Sequence, residues 1–281
     1  MNDSHIASSE ALTSMHLFRY WRSGEFQIII DGRPVTIVCA AGSNDSNADA
    51  DIRCQEKAER VQLIVDGSVE RKDSYERPVR EQITHEIDEC NIITRNRYGA
   101  LILNSASLSI FDIDDYKRSF WESLGFGKKK DKKAAIVENL RRLFESYGQR
   151  NISWRIYETC KGVRMIVAGP YINPASSFFA QFSREINADP LYTLLCTKQN
   201  CYRARLTPKP HRLHIDRLKF VCPLPEDIDR KYSEWLANYQ EQSKNYAVCR
   251  LIETLGATVS EDPIIDFHDR ICCSEANLPL A

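Results

Sequence analysis

The sequence has no apolar run approaching the ~18 residues that span a hydrocarbon core. Its first stretch, MNDSHIASSEALTSMHLF, holds neither the basic block nor the apolar block of a secretory signal. Both absences point to a cytoplasmic protein with no membrane partner. Net charge is almost lacking as well, since 38 Lys and Arg against 39 Asp and Glu leave −1. That balance excludes a protein dominated by nonspecific attraction to nucleic acid, so anion binding has to be sought in local clusters. No internal repeat or clear linker divides the chain. Cysteine is not scarce, with ten at 39, 54, 90, 160, 196, 201, 222, 249, 272 and 273. Their scatter, several inside apolar segments, suits reduced thiols packed as small hydrophobes and not a disulfide framework.

What is present is enough apolar material for one large core or two moderate ones: 43% of 281 residues are hydrophobic and 27% charged. The patterning predicts a single α+β domain with a mixed, mostly antiparallel central sheet flanked by helices. Within it, an N-terminal αβ lobe covers about 1–93, a core about 94–222, and a C-terminal helix and strand extension 223–281. Asp31-Gly32 between apolar runs at 25–30 and 35–39 is a hairpin signal. The Gly42-Ser43-Asn44 loop that follows reads as a helix cap, with phosphate binding as its rarer alternative. Val79, Ile83 and Ile87 have helical spacing, so 79–90 is expected to be a helix. Strands are expected at 100–103, 108–113 and 202–206, and a hairpin at 154–157 and 163–167 around Cys160-Lys161-Gly162. Helices are expected at 174–186 and 225–240, and strands at 219–222 and 248–254. The lysine run 128–133 reads as a solvated loop or, beside a polyanion, a phosphate contact.

The stretch TRNRYGALILNSASLSIFDIDD, residues 94–115, is the expected centre. Asp112 and Asp114 stand at i and i+2 of a strand, so their carboxylates aim the same way about 7 Å apart. Such a pair can hold Mg²⁺ or Mn²⁺ and leave positions for phosphate oxygens; its ordinary alternative is a solvated turn. A second stretch, DPLYTLLCTKQNCYRARLTPKPHR, puts Arg203 and Arg205 on one strand face and follows them with Lys209, His211 and Arg212. Arginine forks and lysine point charges suit a triphosphate or a strand backbone. Lys161 and Arg164 flank Gly162, where a nucleotide could approach the backbone. Zinc is not expected, because Cys196-x4-Cys201 and His211-x2-His214 depart from finger spacings. His268-Asp269 reads as a buried or capping pair, and no cysteine is singled out as a nucleophile.

Read in order, these motifs resemble the catalytic core of the archaeo-eukaryotic primase superfamily, which includes primase-polymerases, over about residues 95–215. Asp112-Ile113-Asp114 looks like its Asp-x-Asp strand motif, and the hairpin carrying Arg164 stands where its Ser-x-His motif is expected, without the histidine. Asp189-Pro-Leu-Tyr192 looks like its third acid, and Arg205-Leu-Thr-Pro-Lys209 like its basic segment. The resemblance implies a primase-polymerase-like fold, with Asp112, Asp114 and Asp189 as catalytic and metal-holding acids. It implies that Lys161, Arg164, Arg203, Arg205, Lys209 and His211 contact a nucleoside triphosphate or a DNA or RNA strand. The implied activity is nucleotidyl transfer by two-metal phosphoryl chemistry. A catalytically silent nucleotide- or nucleic-acid-binding protein and a metal-dependent nuclease are the alternatives. The whole chain is also similar to a bacterial protein family with segments of the TRNRYGALILN and RARLTPKPHR type, a similarity that carries no activity with it.

Overall fold

The structure is a computed structural model and describes residues 14–70, 79–116, 131–147, 151–216, 222–223, 229–256 and 262–281. The chain opens with a hairpin of β1 (Tyr20–Ile30) and β2 (Arg33–Ser43), paired from Tyr20 opposite Ser43 to Ile30 opposite Arg33. Asp31 and Gly32 both take positive φ, 50° and 75°, as a tight turn matched to strand twist requires. Helix α1 (Asn47–Val65) lies on the hairpin and buries Ala50, Cys54 and Ala58. Ser46 caps it by accepting the Asp49 N–H. The Ser43 hydroxyl is spent on Asp49 and the Asp45 N–H, and Asn44 accepts from the Arg19 N–H. The loop is therefore committed as a cap.

Two four-stranded antiparallel sheets follow, instead of one central sheet. The first runs in the order β3 (Gln82–Asp88), β4 (Asn91–Arg95), β5 (Leu101–Ser105), β9 (Tyr202–Arg205). The second runs β10 (Cys249–Gly256), β7 (Ser153–Thr159), β8 (Val163–Ala168), β6 (Ser109–Ile113). Among the described residues the remaining α-helices are α2 (Lys132–Tyr147), α3 (Ser177–Glu185), α4 (Pro190–Gln199), α5 (Asp229–Ser243) and α6 (Pro263–Cys272). The architecture is mixed α+β with antiparallel sheets. No helix among the described residues is long and apolar enough to cross a membrane.

The sheets share one core, in which Phe111 of β6 is fully buried. Its ring packs 5.4 Å from Tyr202 of β9 and 5.9 and 5.2 Å from Phe179 and Phe182 of α3. Each aromatic contact of this kind adds about 0.5–1.5 kcal/mol beyond its burial. The close approach of β6 to β9 brings the acidic end of one strand to the basic end of the other.

One expected helix is corrected. Residues 79–90 are no helix: β3 forms there and pairs with β4, with irregular register at Ile83/His85 and Glu86/Asp88. Ile83 and Ile87, four apart, share a face in a strand as well as in a helix, and the β-branched Ile83, Thr84 and Ile87 favour the strand. β4 spans residue 93, where the expected N-terminal lobe ends, and pairs with β5 through Arg95 opposite Leu101. Lys132 and Lys133 open α2, and the rest of the lysine run and most of the expected strand at 219–222 lie outside the described residues.

Candidate anion and metal site

The site is built from the register of β6 against β8, which sets Asp112 opposite Arg164. Arg164 Nε donates to Asp112 Oδ1 at 2.9 Å and its NH2 to Oδ2 at 3.4 Å. Its NH1 donates to the Arg205 carbonyl at 3.1 Å and to His268 Nε2 at 3.2 Å. The arginine side chain is 2% exposed and the aspartate 33%, so the carboxylate is the half of the pair that faces solvent. Burial pulls the Arg164 pKa down, but the Asp112 charge and hydrogen bonds raise it further, so the guanidinium stays charged.

Asp114 follows the end of β6 and is exposed. The β7–β8 turn closes over it: Thr159 N–H donates to the Gly162 carbonyl and Gly162 N–H to Thr159 Oγ1. A Cβ at Gly162 would lie 2.2 Å from the Ile113 carbonyl oxygen and 3.1 Å from Asp114 Oδ1, so only glycine permits this approach. The turn thereby brings Lys161 to the Asp114 side of the site. Lys209 feels the charges of Arg205, Arg212 and Lys161, with Asp114 opposing. Burial first, and these cations second, hold its pKa below the ordinary value. Arg205 is likewise lowered to about 10 by burial, then by Arg164 and Arg212. Among the described residues no carboxylate forms an ion pair with Lys161, Arg205, Lys209 or Arg212. One guanidinium nitrogen of Arg212 is buried without any hydrogen-bond partner, which native proteins avoid unless something else satisfies it.

The other expected residues sit differently. The Asp189 N–H donates to the Asp112 carbonyl at 2.9 Å, which brings its backbone beside β6. Its Oδ1, however, accepts from the Tyr192 N–H at 2.6 Å and caps α4. Among the described residues, Asp112, Asp114 and Asp189 do not make a set of three donors within reach of one ion. Arg203 is turned into a different network: its NH2 lies 2.7 and 2.8 Å from the two Glu81 oxygens, and its NH1 donates to Gln199. His211 is exposed in the 3₁₀ turn Pro210–Arg212 that follows Lys209. Cys196 and Cys201 are buried while His211 and His214 are exposed, so that segment assembles no zinc ligand set.

Behind Arg164 lies a group that the sequence did not single out as a set: Cys249 at the start of β10, with His268 and Cys272 on α6, all fully buried. His268 Nδ1 lies 2.9 Å from Asp269 Oδ1, and Asp269 Oδ2 accepts from Arg155. Since arginine can only donate, Nε2 accepts from Arg164 and the ring proton sits on Nδ1, shared with Asp269. Burial lowers the His268 pKa, but Asp269 and then Cys249 raise it to a net upward shift. The bond from the Cys272 thiol, then His268 and Arg164, draw the Cys249 thiol down against burial, while burial and the same bond push Cys272 up. The one sequence signal was His268-x3-Cys272, an i,i+4 pair on one helix face; its partner comes from a strand that no local spacing could indicate. No protein-family model matches the chain, and neither a curated protein nor a solved structure matches it.

Proposed function

We propose that the chain is a metal-dependent nucleotidyltransferase of primase-polymerase type, which binds a nucleoside triphosphate and a nucleic-acid strand end. One observation carries the reading: two carboxylates at the open end of β6 face four cations that have no carboxylate partner of their own. Lys209, Arg205, Arg212 and Lys161 would hold phosphate oxygens, and the buried guanidinium nitrogen of Arg212 would gain the acceptor it lacks. Asp112 and Asp114 offer hard oxygen donors of the kind that Mg²⁺ or Mn²⁺ takes, together with phosphate oxygens and water. The salt bridge uses two of the roughly four lone-pair sites of Asp112 and leaves the exposed side of that carboxylate open. Bound there, the ion would neutralise phosphate charge and lower the barrier to in-line attack. Asp189 fits a positioning role better than a ligand role, since its carboxylate holds the start of α4.

The cap on Asp189 and the Arg164 clamp on Asp112 favour a second reading, a silent nucleotide- or nucleic-acid-binding protein with the same core. One experiment separates them. The purified chain is given labelled nucleoside triphosphates, a primed strand and Mn²⁺ or Mg²⁺, and compared with the Asp112→Ala/Asp114→Ala double variant. Strand extension that the double variant loses is the expected result. Tight binding without metal and no turnover on any primer would replace the proposal with the silent binder, and strand shortening would replace it with a nuclease.

A further inference from the structure

We infer that Cys249, His268 and Cys272 form a closed site for one soft divalent metal ion, zinc by the chemistry of its donors, buried behind Arg164. Cys249 Sγ, one His268 ring nitrogen and Cys272 Sγ lie within 4.8 Å of one another, and all three residues are inaccessible to solvent. Tetrahedral zinc with bonds of about 2.0–2.3 Å sets its donors roughly 3.5–3.8 Å apart. The three donors therefore need to close by no more than about 1 Å. Two thiolates and one imidazole are the ligand chemistry that selects zinc over magnesium or calcium.

Two further features distinguish this from a chance packing of polar core residues. Asp269 already holds His268 at Nδ1, 2.9 Å away, the carboxylate–imidazole arrangement that orients metal-ligating histidines, and Nε2 would exchange its 3.2 Å bond from Arg164 for the metal. Arg155 in turn fixes that carboxylate. The donors are also positioned by backbone bonds that need no metal: Val248 N–H donates to the Cys272 carbonyl and Leu251 N–H to the Ser274 carbonyl, each at 3.0 Å. These bonds tie the start of β10 to the end of α6. A fourth oxygen donor is at hand in the Arg205 carbonyl, 3.8 Å from Cys272 Sγ. Metal uptake displaces the thiol protons, and two thiolates cancel the charge of the ion, so Arg164 keeps its own neutralisation by Asp112. A closed site without access to water marks a structural ion, one that would lock α6 and β10 against the arginine that orients Asp112.

The test is metal content of the full chain purified without chelator, by plasma mass spectrometry, with cobalt exchange as a second readout. The expected result is one zinc per chain, and a near-ultraviolet sulfur-to-cobalt charge-transfer band after exchange. Cys249→Ser and Cys272→Ser should each lose the ion, while Cys160→Ser and Cys196→Ser should keep it. Because the first two variants could fail to fold, wild-type protein stripped of metal and reloaded provides an independent arm: zinc should raise its unfolding midpoint. Wild-type protein that refolds in zinc without stoichiometric uptake and without the cobalt band would overturn the inference. So would loss of the ion from Cys196→Ser with retention in Cys272→Ser.

Discussion

Arg203 and Arg205 lie two residues apart on one face of β9 and meet opposite fates. Arg203 is enclosed with Glu81, whose second oxygen also accepts from Thr94 at 2.6 Å, and Asn104 in turn donates to Thr94. Both charges in that network are paired with each other, although Asn104 Oδ1 and Gln199 Nε2 are buried there without a hydrogen-bond partner among the described residues. Arg205 is surrounded by Arg164, Arg212 and Lys209, with Asp112 as the nearby opposite charge. Like charges packed together cost stability unless a ligand offsets them, and the proposed function rests on that cost at Arg205.

The comparison breaks most visibly at Glu81. Glu81→Gln leaves the buried Arg203 charge unneutralised, which should cost about 3–5 kcal/mol of folding stability. Denaturant unfolding measures it, and the affinity of the folded fraction for a triphosphate should not change. A loss below 1 kcal/mol would mean that the network is not the structural half of the pair.

The next largest effect is the reverse one. Lys209→Ala should weaken triphosphate binding about tenfold or more, the size of a lost charge-assisted hydrogen bond of roughly 1.5–3 kcal/mol. Its folding stability should hold or rise, because one member of a repelling cluster is gone. Calorimetric titration with pyrophosphate and a thermal melt on the same sample check both signs. If Lys209→Ala destabilises as Glu81→Gln does, the two ends of β9 are alike and the site reading fails with them.

Much of this was legible in the sequence and some was not, for identifiable reasons. Asp31-Gly32 fixed its hairpin, and alternation placed Asp112 and Arg164 on their strands, because those signals are local. The fate of Arg203 was illegible, since Glu81 lies 122 residues away and in a segment that reads as helix. The same holds for Cys249 and His268, whose meeting depends on how α6 docks on β10. Asp189 was visible as both a helix start and a third acid; the structure uses its carboxylate for the cap.

The smallest effect is the sharpest measure of the difference between the two arginines. Lys209 has a folded pKa below its unfolded one, chiefly from burial and then from Arg205, Arg212 and Lys161. The unfolded chain therefore binds more protons near that pKa, so this lysine costs stability at lower pH and the cost fades as pH rises through the lowered value. A bound polyphosphate favours the protonated lysine and should restore the pKa. Binding at a pH near the lowered Lys209 value should thus take up a fraction of a proton. Affinity should fall as pH climbs through the lowered Lys209 value. Calorimetry in buffers of different ionisation enthalpy reads the uptake directly. Lys209→Ala should abolish most of it, while Arg203, already neutralised by Glu81, should contribute nothing. Uptake that survives in Lys209→Ala would move the anion away from this end of β9.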